Sequence, residues 1–225
     1  VNGEGSIYGD RGKDGGKIKI CRRAKLKGIP SSLINTVWQN ITDPIAHDIL
    51  RNDVDRVIVR DVISYNEVRK IRPDASISTD LAYDMPVNIP TVIPEKKVVG
   101  GFFNKPKIKW PDYTRINIKN YDEWQDYLNA LSVACILVTG YHHEVIAACK
   151  LRIPFIAYRG NTDKVLGIIK RAGANIKVAE TPDELKANLN EPIDVDQYTK
   201  LFNYLEQQPP FTLEDIGIYG RSKTC

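Results

Sequence analysis

Two strand-to-helix turns in the second half of the chain carry the side chains best suited to chemistry. The first, Gly140-Tyr-His-His143, follows an apolar run, and the second, Arg159-Gly-Asn-Thr-Asp-Lys164, follows the next apolar run. Each turn brings backbone N–H groups and a helix N-terminus to the carboxyl end of a predicted strand, which is how α/β proteins bind phosphate and other anions. Two such turns in tandem predict a site for a phosphorylated donor.

The elements around these turns alternate between strand and helix patterns along the whole chain. In the first part of the chain and just after the linker, the patterns predict strands over 56–59, 77–82 and 97–103 and a helix that begins at Asp43-Pro44. This alternation predicts an α/β fold with parallel sheets covered on both faces, built as two Rossmann-like halves. We expect an N-terminal half over residues 1–84, a proline-rich linker over 85–96, a donor-binding half over 97–190, and a C-terminal helix and tail over 191–225. The chain opens without methionine on residues typical of the end of a buried strand, so we expect the N-terminal half to be incomplete.

Composition limits the class of protein. No apolar run approaches the roughly 18 residues of a transmembrane helix. The four cysteines are widely spaced without a Cys-x-x-Cys pair, which argues against a zinc site and favours a reduced, cytoplasmic chain. We expect no metal and no cofactor.

The net charge of +4 is unevenly distributed. Residues 1–30 contain eight Lys and Arg against three acidic residues, so the remainder is close to neutral. This basic segment is either a solvated helix face or a surface that attracts an anionic substrate, a glycan or nucleic acid. No aromatic residue is interleaved with the charges, so nucleic-acid recognition is weakly supported.

Several short motifs together resemble the polysaccharide pyruvyltransferase family. They are, in order along the chain, Asn2-Gly-Glu-Gly-Ser6, Arg60-Asp-Val-Ile-Ser64, Asp80-Leu-Ala82, Val138-Thr-Gly-Tyr-His-His143 and Asn161-Thr-Asp-Lys164. The resemblance implies two Rossmann-like domains that face each other across a cleft, as in GT-B glycosyltransferases. It also implies an enzyme that transfers a pyruvyl group from phosphoenolpyruvate, as donor substrate, to sugar hydroxyls of a polysaccharide.

The resemblance, taken together with the residue types in the two turns and in the N-terminal loop, assigns candidate roles to individual residues. His143 matches the family histidine, a candidate general acid or donor ligand, and Glu4 is a candidate base for the acceptor hydroxyl. The residues expected at the donor are Gly140, Tyr141, His142, Arg159, Asn161, Thr162 and Lys164. The residues expected at the acceptor are Asn2, Gly3, Gly5 and Ser6.

Some of these residues have a structural alternative. His142 and His143 point about 100° apart on a helix, so only one of them readily faces a cleft. Lys164 either binds phosphate or covers the surface of its helix, and the glycines near residue 2 either approach a ligand or form a tight turn.

One position departs from the family pattern. The family usually has arginine two residues before the histidine, where this chain has Tyr141, and a phenol does not replace a bidentate guanidinium. Two alternatives therefore stand beside the pyruvyltransferase. One is a GT-B-type glycosyltransferase with a nucleotide-sugar donor and a glycan or modified nucleic acid as acceptor. The other is a non-catalytic glycan-binding remnant of the fold.

Overall fold

The chain divides into two compact units. A computed structural model describes residues 7–8, for their backbone only, and residues 16–218. The first unit comprises Val1–Asp84 with Gln208–Cys225, and the second comprises Met85–Gln207. The segment predicted over 191–225 is thus divided at Gln208. The Arg56 Nη1 group donates to the Asp215 carbonyl oxygen at 2.9 Å, which attaches the last described residues to the first unit.

Ten strands occur in the described residues, and every strand pair is parallel. They are β1 Ile7–Tyr8, β2 Ser32–Thr36, β3 Trp38–Gln39, β4 Arg56–Val59, β5 Ser76–Ile77, β6 Lys96–Val99, β7 Thr114–Arg115, β8 Ala134–Thr139, β9 Phe155–Tyr158 and β10 Val178–Ala179. The first unit contains a sheet of order β2-β4-β5 and the pair β1-β3, and the second contains one sheet of order β10-β9-β8-β6-β7. The prediction of an α/β fold with parallel sheets in both halves is confirmed.

Helices connect these strands. They are α1 Lys19–Leu26, α2 Pro44–Asn52, α3 Val62–Val68, α4 Leu81–Asp84, α5 Trp124–Leu131, α6 His142–Lys150, α7 Lys164–Arg171, α8 Pro182–Asn190 and α9 Val195–Glu206. Short 3₁₀ turns are formed by Gly16–Ile18, Ile118–Asn120 and Glu214–Ile216. Within the described residues, no helix has both the length and the apolar character of a membrane span.

The first unit has its own core and its own polar edge. Trp38, Leu33 and Ile49 are buried where β2, β3 and α2 pack together. At the carboxyl end of β4, Arg60 Nη1 forms a fully buried ion pair with Asp80 Oδ2 at 2.7 Å. Asp80 Oδ1 also accepts from Ala82 N at 2.9 Å. This bond starts α4 inside the segment 77–82 that the sequence pattern predicted as a strand.

The second unit has the strand order 2-1-3-4-5 when its strands are numbered along the chain from β6. This is one of the two common doubly wound orders. The first strand, β6, and the third, β8, lie side by side with Val99 opposite Val138. Their outgoing connections diverge, since β6 leads towards β7 at one edge while β8 leads to β9 on the other side. Ligands of doubly wound folds bind at such a switch point, outside the carboxyl ends of the strands.

Candidate functional site

The switch point brings two glycine-containing turns together. Gly100 and Gly101 follow β6, and Gly140 follows β8. Gly100 N donates to the Val138 carbonyl oxygen and Gly140 N donates to the Gly101 carbonyl oxygen, both at 2.8 Å. These bonds extend the pairing of β6 and β8 beyond the strands and fix one turn against the other. The turn predicted to bind the donor therefore lies at the position where doubly wound folds bind ligands.

Glu144 holds this arrangement from the first turn of α6. Its buried carboxylate accepts from the backbone N–H groups of Gly101 and Ile118, each at 2.8 Å. It also contacts the hydroxyl of Thr139, the last residue of β8. Burial raises the pKa of Glu144 above its ordinary value, while these hydrogen bonds oppose the increase. One acidic side chain thus connects the loops after β6 and β7 to the end of β8.

Glycine is required after β6 because the space beside its backbone is already filled. A Cβ atom on Gly100 would lie 1.9 Å from Glu144 Oε2, and one on Gly101 would lie 2.1 Å from Cε2 of the Tyr141 ring. Backbone N–H groups can approach the carboxylate and the phenol closely only in the absence of side chains here. The pair Gly100-Gly101 therefore belongs to the site, although the sequence pattern placed both residues inside a strand over 97–103.

The Tyr141 ring lies at the centre of the switch point. Its backbone N donates to Thr139 Oγ1 at 2.9 Å, and its ring packs edge-on against Phe103 with centroids 4.8 Å apart. The exposed Lys119 places its Nζ atom 4.9 Å from the ring centroid, within cation–π distance. A positive charge from the loop after β7 therefore sits beside the position where the family usually has arginine.

The second predicted turn adjoins the first. A Cβ atom on Gly160 would lie 3.2 Å from the Gly140 carbonyl oxygen and 3.3 Å from Phe103 Cδ2, so the two turns are neighbours. The hydroxyl oxygen of Thr162 is inaccessible to solvent and has no hydrogen-bond partner among the described residues. Asn161 is half-buried, and Lys164 is buried as the first residue of α7.

Arg159 is less available to a donor than the sequence suggested. Its guanidinium pairs with Asp163 Oδ1 and with Glu180 Oε2, both at 2.9 Å. Two carboxylates neutralise the charge, so an anionic donor would compete with them for the guanidinium. Lys119, which the sequence pattern did not select, forms no ion pair within residues 16–218, although its charge does act on the Glu144 carboxylate.

The two histidines begin α6. His142 is its first residue and is buried, whereas His143 is half-buried, and their ring centroids are 5.4 Å apart. The N-cap residues of α6 and α7, Tyr141 and Asp163, provide no side-chain cap hydrogen bond. By contrast, the N-cap side chain of α8, Thr181, accepts from the third residue of its helix. The N-cap side chains of α6 and α7 thus do not occupy the first turns of these helices. An anion can bind at a helix N-terminus only when no such side chain occupies it.

The predicted acceptor residues and the candidate base lie outside the described residues. These are Asn2, Gly3, Glu4, Gly5 and Ser6. Their roles stay predictions. Of the donor residues, the structure brings the turns around Gly140 and Gly160 together. It adds Gly101, Lys119 and Glu144. The sequence signal for Gly101 was a Gly-Gly pair after two valines, the signal for Glu144 was an acid near a helix start, and Lys119 had no signal.

The sequence of the chain matches a known protein family. The profile described as polysaccharide pyruvyl transferase matches residues 1–176, which is most of the chain. The chain belongs to the polysaccharide pyruvyl transferase family. It is therefore a transferase of a polysaccharide-modifying family, and its site at the end of β8 lies within the matched region.

Solved structures give a more distant likeness. "Spinosyn Rhamnosyltransferase SpnG complexed with thymidine diphosphate" is 12% identical, with a TM-score of 0.49 over 85% of this chain and 68% of that chain. A second structure, "Spinosyn Rhamnosyltransferase SpnG", is 11% identical, with a TM-score of 0.44 over 85% of this chain and 73% of that chain. Comparison with curated proteins gives no significant match.

Proposed function

We propose that this polysaccharide pyruvyl transferase family member transfers a pyruvyl group from phosphoenolpyruvate to a sugar hydroxyl in glycan biosynthesis. The observation that carries the proposal is the position of the family's histidine turn at the β6–β8 switch point. A donor with a phosphate and a carboxylate suits two adjoining turns that each begin a helix.

In the proposed binding mode, the donor's two anionic groups contact different parts of the site. One group lies at the start of α6, where Lys119 supplies a positive charge beside Tyr141. The other lies at the second turn, where the buried Thr162 hydroxyl donates a hydrogen bond. Lys119 thereby takes over part of the charge that arginine would provide, although as an ammonium it acts as a point charge and not as a bidentate fork.

The proposed chemistry has a defined proton balance. The methylene carbon of phosphoenolpyruvate gains a proton, for which His143 is the candidate acid, and an acceptor hydroxyl attacks the adjacent carbon. Glu4 is the candidate base that removes the hydroxyl proton. The C–O bond to phosphate breaks, and a second hydroxyl of the same sugar attacks the same carbon to close the ketal. The proton of this second hydroxyl leaves with the inorganic phosphate, as HPO₄²⁻.

A nucleotide-sugar glycosyltransferase is the second candidate. The specific observation in its favour is the contact between the two turns, since Gly160 packs against the Gly140 carbonyl oxygen. Adjoining anion-binding turns suit the two phosphates of a nucleoside diphosphate equally well. The two candidates differ in the donor, and donor binding therefore distinguishes them.

Thermal unfolding with candidate donors tests the proposal. Phosphoenolpyruvate should raise the melting temperature of the chain, and UDP, GDP and CMP should not, because a ligand that binds only the folded state stabilises it. Stabilisation by a nucleotide alone would favour the glycosyltransferase. If no phosphorylated compound shifts the unfolding, the non-catalytic alternative gains support.

Substitutions connect binding to the site. Lys119→Ala should weaken binding of phosphoenolpyruvate by about tenfold, which corresponds to one exposed charge-assisted contact. Lys170→Ala, which removes an exposed lysine of α7, should leave binding unchanged. His143→Ala should abolish phosphate release in the presence of a sugar acceptor without lowering the melting temperature of the free chain; retained turnover would contradict its assignment.

A further inference from the structure

Helix α1 presents an outer face that combines positive charge with exposed aliphatic side chains. Its inner face is buried through Ile18 and Cys21, which belong to the core of the first unit. Ile20, Arg23 and Lys27, at i, i+3 and i+7, lie on the opposite face and are exposed. Ile20 is 55% exposed at one end of this row, on the same face as the two cations.

The end of α1 extends this face. Gly28 N donates to the Lys25 carbonyl oxygen and Ile29 N donates to the Ala24 carbonyl oxygen, each at 2.9 Å, which is the Schellman arrangement. Gly28 has a φ of +67°, so the chain reverses immediately after the helix. As a result, Leu26 and Ile29 project from the same corner, where they are 82% and 54% exposed.

The segment that forms this surface is basic. Residues 16–30 contain no acidic residue, and their cations are Lys17, Lys19, Arg22, Arg23, Lys25 and Lys27. Arg22 forms ion pairs with Asp48 and Asp53 of the same unit. The exposed Arg23 and Lys27 therefore create a positive potential around Ile20, Leu26 and Ile29.

We propose that the outer face of α1, formed by Ile20, Arg23, Leu26, Lys27 and Ile29, binds the surface of an anionic phospholipid bilayer. Positive side chains attract anionic headgroups, and aliphatic side chains beside them enter the boundary between headgroups and acyl chains. A nucleic acid or an anionic glycan would satisfy the cations but would leave Leu26 and its neighbours exposed to water. Single-stranded nucleic acid is recognised mainly through aromatic stacking, and this face has no aromatic residue.

Sedimentation of the full chain with lipid vesicles tests the proposal. The chain should bind equimolar phosphatidylcholine–phosphatidylglycerol vesicles and release them in high salt, and it should not bind phosphatidylcholine alone. Each cation lost at an anionic surface weakens binding by about fivefold, so Arg23→Glu with Lys27→Glu should weaken binding by at least about 25-fold. Leu26→Ser with Ile29→Ser should weaken it with little change in its salt dependence, because these side chains contribute the apolar term.

Matched controls separate this face from general surface properties. Lys105→Glu with Lys107→Glu removes an exposed basic pair in the second unit, and Val195→Ser with Leu213→Ser removes two exposed aliphatic side chains elsewhere. Both controls should bind like the wild type, and circular dichroism should show that all variants are folded. The proposal is overturned if the chain binds neither vesicle, binds both equally, or loses binding equally in the controls. Binding of duplex DNA through Arg23 and Lys27 without vesicle binding would overturn it as well.

Discussion

Removal of the Glu144 side chain should destabilise the second unit by an amount that follows from its hydrogen bonds. In Glu144→Ala, the buried N–H of Gly101 loses its acceptor, which costs about 2 kcal/mol. The N–H of Ile118 also loses its acceptor, but it is half-buried and water can partly replace the carboxylate, so its loss costs about 1 kcal/mol. We therefore expect the free energy of unfolding to fall by about 3 kcal/mol.

Urea denaturation followed by circular dichroism measures this change, and α8 offers a matched control. Glu184, like Glu144, is the third residue of its helix, and its Oε2 accepts from Glu180 N at 2.7 Å. Glu184 is exposed, so Glu184→Ala should cost less than about 1 kcal/mol. If the two alanine variants lost the same stability, the role of Glu144 in holding the loops after β6 and β7 would be refuted.

The pH dependence of the free energy of unfolding tests whether the pKa of Glu144 is raised in the folded protein. Burial raises the pKa of Glu144 in the folded protein above its ordinary value of 4.5. The folded state therefore favours the protonated carboxyl, and this contribution is complete below pH 4.5 and declines as the pH rises towards the folded-state pKa. The free energy of unfolding of the wild type, relative to that of Glu144→Gln, should therefore decrease as the pH increases from 4.5. An increase over this pH range would contradict a raised pKa of Glu144.

Three further predictions concern other parts of the structure. Gly101→Ala should lower donor affinity and cost about 1–3 kcal/mol of stability, as measured by ligand titration and urea denaturation, because its Cβ atom would overlap the Tyr141 ring. Asp80→Asn should destabilise the first unit by about 3–5 kcal/mol in the same denaturation assay, since it removes the carboxylate from a fully buried ion pair with Arg60. Thr181→Ala should cost about 1 kcal/mol and lower the melting temperature modestly, because it removes a hydrogen-bonded N-cap.

The sequence predicted those helices and strands whose signals lie within a few neighbouring residues. The helix-capping residue Asp43, followed by Pro44, marked the start of α2, and Asp43 Oδ1 does accept from Ile45 N at 2.9 Å. The β-branched run of β4 was likewise located at Arg56–Val59. The strand predicted over 77–82 is shorter in the structure than in the prediction, because the Asp80 carboxylate starts a helix within that segment.

The organisation of the site depended on contacts between residues far apart in the chain. The sequence offered Glu144 only as an acid near a helix start, since its partners at Gly101 and Ile118 come from two other loops. Arg159 suggested an available cation because its pairing with Glu180 requires β9 and β10 to lie side by side. Lys119 lies 22 positions before Tyr141 and could not be assigned to its ring without the sheet order.

A crystal structure of the chain with phosphoenolpyruvate bound would show where the donor lies. We expect the donor at the β6–β8 switch point, between the turn at Gly140 and the side chain of Lys119. One anionic group of the donor should lie at the start of α6 and the other near the Thr162 hydroxyl. Donor density away from the carboxyl ends of β6 and β8 would contradict this binding mode.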